Sequence, residues 1–237
     1  MPGDIAAVAL IPAAGFRQLG PAITLVPEAS TREVTPARSR GRRNAQEAQM
    51  QNLTIDFIMS LDGYGAAEGW PGWWGMEGPE YLGWLEELPD KDYPLLMGAT
   101  TYRVMSELTA GGEEGTDVLN GVQKYVFSST LEEPLGWANS VLVREDAVDF
   151  VRRLKEESDR PLRTLGSVSL CRSLLRAGLV DRYRVVVFPV ITGATGQERI
   201  FDGYPDVRLD LVESRTFDQR SQLLEYVPMV LERPPLG

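Results

Sequence analysis

From residue 52 onward, apolar positions follow two spacings that alternate along the chain. Consecutive or alternating apolar residues predict strands, and apolar residues three and four positions apart predict helices. The predicted strands are 52–60, 94–98, 123–128, 140–144, 161–166, 182–190, 207–217 and 221–232. The predicted helices are 78–88, 101–108, 147–158 and 167–178. This alternation predicts an α/β fold with a mainly parallel sheet covered on both faces.

Residues at the ends of these segments support the predicted boundaries. Thr100 and Asp146 are expected to cap the starts of the second and third helices, and Gly178 to follow the end of the fourth. Only the sequence Asp-Gln-Arg separates the last two strands, which predicts an antiparallel hairpin.

Residues 1–50 lack this periodicity and are rich in polar and helix-breaking residues. We expect a disordered or poorly ordered N-terminal extension, followed by one domain at 51–237. Six arginines and four acidic residues give the extension a net charge of +2. Because the whole chain carries −10, the domain carries −12. An acidic domain argues against nucleic acid as its main partner. The basic segment 39–44 is either a solvated tail or a contact for an acidic partner or nucleic acid.

Histidine is absent from the chain, and cysteine occurs once. These counts exclude a histidine-dependent catalytic triad, a histidine metal site, a thiolate zinc cluster and an internal disulfide. Proton chemistry therefore falls to carboxylates, tyrosine, lysine or water, and we predict no metal. A single cysteine suits a reducing cytoplasm, and no apolar run is long enough to predict a membrane span.

Small and hydroxyl residues mark three predicted junctions at strand ends, at 97–102, 127–131 and 165–170. In an open parallel sheet, ligands bind beyond the carboxyl ends of the strands, where free N–H groups at helix starts attract phosphate. Three such junctions together can hold the phosphates of a dinucleotide. Each one alone is equally explained by turn geometry, which often requires glycine or serine.

Several stretches occur in an order that is typical of one superfamily: SLDGY, LLMGATTYRVM, KYVFSSTL and LGSVSLCRSLLRAGLVDRYRVVVFPVITG. Residues 52–231 resemble the dihydrofolate-reductase-like superfamily, in the branch of the riboflavin-biosynthesis reductase C-terminal domain. The resemblance implies a three-layer fold: a central, mostly parallel eight-stranded sheet, helices on both faces and a C-terminal antiparallel hairpin. It also implies a cytoplasmic, NADPH-using reductase, and relatives of this kind are often homodimers.

By match of position, the resemblance assigns cofactor-binding residues at four strand ends. They are Ile58 and Ser60 beside the nicotinamide, Gly98, Ala99, Thr100 and Thr101 at the pyrophosphate, Ser128, Ser129 and Thr130 along the adenosine, and Gly166, Ser167, Val168 and Ser169 in a second phosphate turn. Ala99 stands where relatives often have an arginine that holds the ribose 2′-phosphate, so NADH is not excluded. Ser167 replaces the second glycine of a Gly-Gly pair. It can still offer N–H and hydroxyl donors to the phosphate if its backbone need not take a positive φ.

Two carboxylates are candidate catalytic residues. Glu80, at the start of the first helix, is near the position of the dihydrofolate reductase carboxylate, but a charge that complements the helix dipole explains it as well. Asp56 shares a strand face with Ile58 and Ser60 and requires a pocket or a partner there.

Aromatic and apolar residues near the same strand ends are candidate substrate contacts: Trp73, Trp74, Met105 and Leu165. The glycine- and tryptophan-rich segment 63–75 corresponds in position to the mobile lid of dihydrofolate reductases. The alternative is that at least two of the tryptophans pack beneath this segment as part of the core.

The sequence thus supports two functional hypotheses. The first is an NAD(P)H-dependent reductase of a small heterocyclic or carbonyl substrate, similar to 5-amino-6-(5-phosphoribosylamino)uracil reductases or dihydrofolate reductases. The second is a non-catalytic protein that binds a nucleotide or an aromatic small molecule with the same fold. In either case the expected partner is a small molecule, with no nucleic acid, no membrane and a possible second copy of the chain.

Overall fold

The structure is a computed structural model that describes residues 52–69, 74–90, 92–112 and 118–233. Its strands are β1 (Leu53–Ser60), β2 (Tyr64–Ala67), β3 (Leu95–Gly98), β4 (Lys124–Phe127), β5 (Ser140–Val143), β6 (Leu162–Thr164), β7 (Arg182–Phe188), β8 (Gly196–Arg199), β9 (Val207–Phe217) and β10 (Ser221–Val230). Its helices are α1 (Pro79–Glu87), α2 (Ala99–Ala110), the single turn α3 (Val118–Gly121), α4 (Ala147–Glu157) and α5 (Val168–Arg176). The predicted N-terminal extension lies outside the described residues.

Eight strands form one sheet in the order β5-β4-β3-β6-β1-β7-β10-β9. Every neighbouring pair from β5 to β7 is parallel, whereas β10 is antiparallel to both β7 and β9. The predicted α/β fold, with its mostly parallel eight-stranded sheet and C-terminal hairpin, is therefore confirmed. Parallel strands end at the same edge of a sheet. We call the edge where β1, β3, β4 and β6 end the carboxyl rim.

Helices cover both faces of the sheet because side chains alternate along each strand. Ile55 and Phe57 of β1 join a core with Val151 of α4 and Leu174 of α5. Ile58, one position further, joins a separate core with residues of α1 on the opposite face. A third core holds α2 against β3 and β4. No described helix is long and apolar enough to span a bilayer.

Helix boundaries agree with the sequence at α4 and differ at α2. Asp146 caps α4 as predicted, because its carboxylate accepts the amide N–H groups of Val148 and Asp149. Thr100 is not a cap: α2 begins at Ala99, and Gly98 is the N-cap without any side-chain hydrogen bond. Helical geometry therefore starts directly at the end of β3, where the backbone turns with no intervening residue.

Part of the predicted lid belongs to a second, two-stranded sheet. Strands β2 and β8 pair antiparallel, with Tyr64 opposite Arg199 and Ala67 opposite Gly196. Residues 64–67 of the predicted loop 63–75 are thus held in a ladder, and residues 65–67 are buried. The sequence did not indicate this strand, because its partner lies more than a hundred residues further along the chain.

Candidate cofactor-binding and active site

Ser167 joins two of the predicted junctions at the carboxyl rim. Its hydroxyl accepts a hydrogen bond from the Gly98 amide at 2.7 Å and shares one with the Thr101 hydroxyl at 2.6 Å. The turn after β6 is therefore fastened to the start of α2. Ser167 reaches this position in the left-handed region, at φ 66°, directly after Gly166 at φ 59°. The condition stated for Ser167, a backbone that need not take a positive φ, is therefore not met.

Two helices begin side by side at this joined turn. α2 starts at Ala99 and α5 at Val168, and neither has a side-chain cap. The first N–H groups of a helix have no partner within the helix, and together with the helix dipole they attract anions. Ala99, Thr100 and Val168 are partly exposed, and Ser169 is exposed. The residues present therefore fit a phosphate-bearing cofactor.

Not every predicted phosphate contact is available. The Gly98 amide is already bonded to Ser167. Thr101 is 1% exposed, and Gly166 and Ser167 are also buried. These residues shape the turn from behind, whereas the first residues of α2 and α5, Ala99, Thr100, Val168 and Ser169, are at least partly exposed.

The third junction lies next to the first, because β4 neighbours β3. The Ser128 hydroxyl accepts the amides of Thr130 at 3.1 Å and Leu131 at 3.0 Å, which forms a tight turn. Ser129 and Thr130 are exposed. Arg144 donates to the Leu131 carbonyl at 2.9 Å, so a basic side chain borders this part of the rim.

At the end of β1, Ser60 and Asp62 form a latch rather than an open subsite. The buried Ser60 hydroxyl donates to Asp62 at 2.6 Å and accepts the Tyr64 amide at 2.9 Å. Asp62 also accepts the amides of Thr192 and Gly193, from the loop after β7. Burial acts to raise the pKa of Asp62, but these hydrogen bonds lower it to about 2. The latch fixes the exits of the two adjacent strands that would flank a nicotinamide.

Ile58 also lies near this exit, but its side chain is fully buried in the core beneath α1. Its predicted contact with the nicotinamide stays a prediction.

Glu80 is engaged with the turn of the C-terminal hairpin. Its carboxylate accepts the Asp218 amide at 2.6 Å, and the Asp218 carboxylate accepts the amides of Glu80 and Tyr81 at 3.0 and 3.2 Å. Asp218 thus caps α1 from a distant part of the chain. This geometry matches the alternative explanation of Glu80, a charge that supports the helix start.

Asp56 lies in a buried ion network. Its carboxylate accepts two hydrogen bonds from Arg184, at 3.3 and 3.0 Å, and Arg184 also pairs with Asp90. Arg163 lies 4.0 Å from Asp56. Burial raises the pKa of Asp56, and the two guanidinium groups partly offset that effect. Asp56 is fully buried, so its predicted role at the substrate has no open path in this structure.

The predicted substrate contacts are mostly core residues. Met105 of α2 and Leu165, which follows β6, are fully buried in the core that holds α2 against β3 and β4. Trp74 is 9% exposed, with its ring 5.7 Å from that of Phe188. Trp73 lies outside the described residues. The arrangement favours the core explanation for Trp74, and a role in substrate binding stays a prediction for all four residues.

One carboxylate at this end of the molecule was missed by the sequence analysis. Glu77 lies between Trp74 and the start of α1, is half-buried, and has one carboxylate oxygen without a hydrogen-bond partner among the described residues. Burial raises its pKa. Its charge acts on the buried hydroxyl of Tyr81, whose ring packs against Phe188 at the end of β7. No periodicity marks Glu77, so only its environment identifies it.

Comparison with known proteins assigns this arrangement to a family. The sequence model of the RibD C-terminal domain family matches residues 51–223. The chain belongs to the RibD C-terminal domain family.

Solved structures with the same fold include reductases. A Shewanella sp. PV-4 protein assigned to riboflavin biosynthesis has a TM-score of 0.60 and 21% identity, over 75% of this chain and 98% of that one. Enterococcus faecalis dihydrofolate reductase, in a complex with NADP(H) and RAB-propyl, has a TM-score of 0.53 and 13% identity, over 76% and 97%.

A third structure is the Thermotoga maritima diaminohydroxyphosphoribosylaminopyrimidine deaminase/5-amino-6-(5-phosphoribosylamino)uracil reductase. It has a TM-score of 0.53 and 20% identity, over 77% of this chain and 58% of that one. The family match, with reductases among the structural neighbours, places this RibD C-terminal domain in a reductase-type family. Within the described residues, no group of acidic or cysteine side chains is arranged to hold a metal ion.

Proposed function

We propose that this RibD C-terminal domain is an NAD(P)H-dependent reductase that transfers a hydride to a small heterocyclic or carbonyl substrate. The observation that carries the proposal is the pair of uncapped helix starts, α2 and α5, fastened side by side at the carboxyl rim by Ser167. Two such starts supply the amide donors that a diphosphate requires. The similarity to a dihydrofolate reductase in complex with NADP(H) supports a nicotinamide cofactor.

The residues of the rim would divide the cofactor among them. The amides of Ala99, Thr100, Val168 and Ser169 would bind the diphosphate, and the turn 128–130 would lie along the adenosine. The strand exits latched by Asp62 would hold the nicotinamide end. A bound nicotinamide supplies the hydride, and the protein supplies position and the proton.

Glu77 is the proton donor in this proposal, in place of Glu80 and Asp56. The carboxylate of Glu80 is bound to the Asp218 amide, and Asp56 is fully buried in ion pairs. Glu77 has an unpartnered oxygen, and burial raises its pKa. A carboxyl group that holds its proton closer to neutral pH is better suited to donate it.

Titration with NADPH, followed by tryptophan fluorescence, tests the cofactor site. Ala99→Asp adds a carboxylate to the first turn of α2, where it repels phosphate. We expect saturable quenching for the natural chain and a Kd at least about tenfold higher for Ala99→Asp, which corresponds to about 1.4 kcal/mol.

The matched control is Ala110→Asp, which adds the same charge at the other, exposed end of α2. Its Kd should stay within about twofold of the natural value, since roughly 16 Å of helix separates the two positions. Absence of saturable quenching in the natural chain, or equal losses in both variants, would contradict the cofactor site.

A second candidate function is binding of a nucleotide or aromatic small molecule without catalysis. It is favoured by one observation: both carboxylates predicted to be catalytic are engaged in structural contacts. Incubation with NADPH and a panel of pterins, quinones and aldehydes separates the two functions. NADPH oxidation with any panel member supports the reductase, and saturable NADPH binding with no oxidation supports the binding protein.

A further inference from the structure

A pocket of about 240 Å³ lies at the edge of the sheet opposite the carboxyl rim. Thr54, near the start of β1, lines it, whereas the proposed cofactor site lies at the other end of the same strand beyond Ser60. Six residues of extended strand separate these positions by about 20 Å. The pocket is therefore distinct from the proposed reductase site and independent of it.

Two glutamates face each other across the strands that form one wall. Glu225 of β10 is in direct register with Glu213 of β9, and both line the pocket. Like charges directly opposite one another in a sheet are destabilising. Burial raises the pKa of Glu225, although Arg184 and Arg182 partly offset that effect. The pair therefore favours positive charge nearby.

The neighbouring cations meet this preference only in part. Arg184 is hydrogen-bonded to Asp56 and Asp90, and Arg182 forms an ion pair with Glu225 at 3.5 Å. Among the described residues, Glu213 has no ion-pair partner. Asp90 lines the pocket with its side chain 9% exposed, and its Oδ1 has no hydrogen-bond partner among the described residues. Arg163 approaches Asp90 Oδ1 to 3.8 Å. In and behind the pocket there are thus four carboxylates and three guanidinium groups: Asp56, Asp90, Glu213 and Glu225, and Arg163, Arg182 and Arg184.

The end of α1 adds to the negative potential. Leu88, the C-cap of this helix, lines the pocket, and the last turn of α1 contains no basic residue. The carbonyl end of a helix carries partial negative charge and favours cations. The remaining wall is apolar and aromatic, formed by Trp84, Leu88 and Tyr93. The Trp84 ring already has the Arg184 guanidinium 5.7 Å from its centre.

We propose that this pocket binds a small organic cation, a primary ammonium with a short apolar body. The ammonium group would lie among Glu213, Glu225 and Asp90, and the apolar body would pack against Trp84 and Leu88. The volume is below the roughly 300 Å³ at which pockets for larger ligands begin, so the ligand is small. No acidic group of the pocket is arranged with others for a metal ion within the described part of the chain.

Thermal unfolding of the full chain with n-butylammonium chloride, against equal concentrations of sodium chloride, tests this site. We expect a saturable rise in Tm of several degrees that sodium chloride does not reproduce, because a ligand that binds only the folded state stabilises it. Trp84 lines the pocket, so its fluorescence should change over the same concentration range.

Glu213→Gln and Glu225→Gln decide between this site and general screening of charge. Glu213→Gln should raise the Tm of the ligand-free chain, because it removes the like-charge pair without breaking an ion pair, and both variants should weaken butylammonium binding at least about tenfold. Glu157→Gln, at an exposed position of α4, should change neither. NADPH binding should be the same in all three variants, so failure of this site is distinguishable from failure of the proposed reductase.

Three results would overturn the proposal. One is an equal Tm rise with sodium chloride, and another is an unchanged response in Glu213→Gln, whose exposed side chain is the safer substitution for folding. The third concerns Lys91, which follows Asp90 in the sequence and lies outside the described residues. If butylammonium binds only after Lys91→Gln, the occupant is the chain's own ammonium group.

Discussion

Ser167 shows how a single residue can depart from its expected conformation and still define a site. A non-glycine residue in the left-handed region costs on the order of 1–2 kcal/mol. Its hydroxyl offsets this cost through its bonds to the Gly98 amide and the Thr101 hydroxyl. The sequence predicted that the three junctions matter, but it could not predict this φ, because the compensating partners lie 66 and 69 residues away.

The same limit applies to the choice of proton donor at the residue scale. Position in the sequence selected Glu80 and Asp56. Their partners, Asp218 and Arg184, come from the turn between β9 and β10 and from β7, both far along the chain. Glu77 became a candidate only through its burial and its lack of a partner. A chemical role for a carboxylate depends on its surroundings, which a single sequence does not contain.

Glu77→Gln tests the proposed proton donor. With any panel substrate that is reduced, kcat/KM should fall by about 10²-fold or more at neutral pH, the loss typical of a missing general acid. Because only the protonated carboxyl donates, the natural activity should fall as pH rises through the raised pKa of Glu77, and this dependence should disappear in the variant. Steady-state rates from pH 5 to 9 measure both effects.

Glu80→Gln is the matched control for that experiment, since it changes the same group at the next acidic position. Its amide oxygen can still accept from Asp218, so kcat/KM should stay within about threefold and keep its pH dependence. An equal loss in the two variants, or an unchanged rate in Glu77→Gln, would assign the proton donor elsewhere. The Kd for NADPH should be unaffected in both.

At the scale of elements, periodicity predicted the strands and helices of the large sheet. Long, strongly patterned segments such as β1 and α4 carry their own signal, and the Asp146 cap was correct for the same reason. The four-residue strands β2 and β8 carry no such signal. They exist because each pairs with the other, beside the latch in which Asp62 accepts the amides of Thr192 and Gly193.

Asp62→Asn tests this latch. It removes a charge that accepts bonds from Ser60, Thr192 and Gly193, and we expect the free energy of unfolding to fall by about 1–2 kcal/mol at pH 7. The folded pKa of about 2 lies below the ordinary 3.8. The stabilisation is therefore present above pH 3.8 and is lost as pH falls through 2.

Urea unfolding of the natural chain and the variant from pH 7 down to pH 2 measures this difference, which should shrink toward the acid end. Asp159→Asn, at an exposed position, should track the natural chain throughout. A gap that persists at pH 2 would mean that Asp62 acts through packing rather than through its charge.

At the scale of the whole molecule, the C-terminal hairpin is unlike the rest of the surface. Six large apolar side chains on β9 and β10 are exposed: Leu209, Leu211, Val212, Val227, Met229 and Val230. β9 also forms the outer edge of the sheet. An exposed apolar edge strand is a ready surface for pairing with another chain. We propose this hairpin as the surface of the expected homodimer, and the dimer itself stays a prediction.

Leu211→Glu tests that prediction. Sedimentation velocity of the natural chain at micromolar concentrations should show a dimer, and the variant should sediment as a monomer because a charge enters the apolar surface. Ile191→Glu is the control, since Ile191 is 71% exposed but lies in the loop after β7, away from the hairpin. A natural chain that is monomeric at every concentration, or a control that dissociates equally, would contradict the prediction.

The position of β1 between β6 and β7 has a consequence for how the protein is made. β1 leaves the ribosome first among the strands of the sheet, yet the amide of Leu53 bonds to Asp181, 128 residues later. At 5–20 residues per second, synthesis of that interval takes on the order of ten seconds. For that time a strand with no exposed position in the finished protein is without its neighbours. The nascent chain should therefore be a client of chaperones that shield apolar segments until translation is nearly complete.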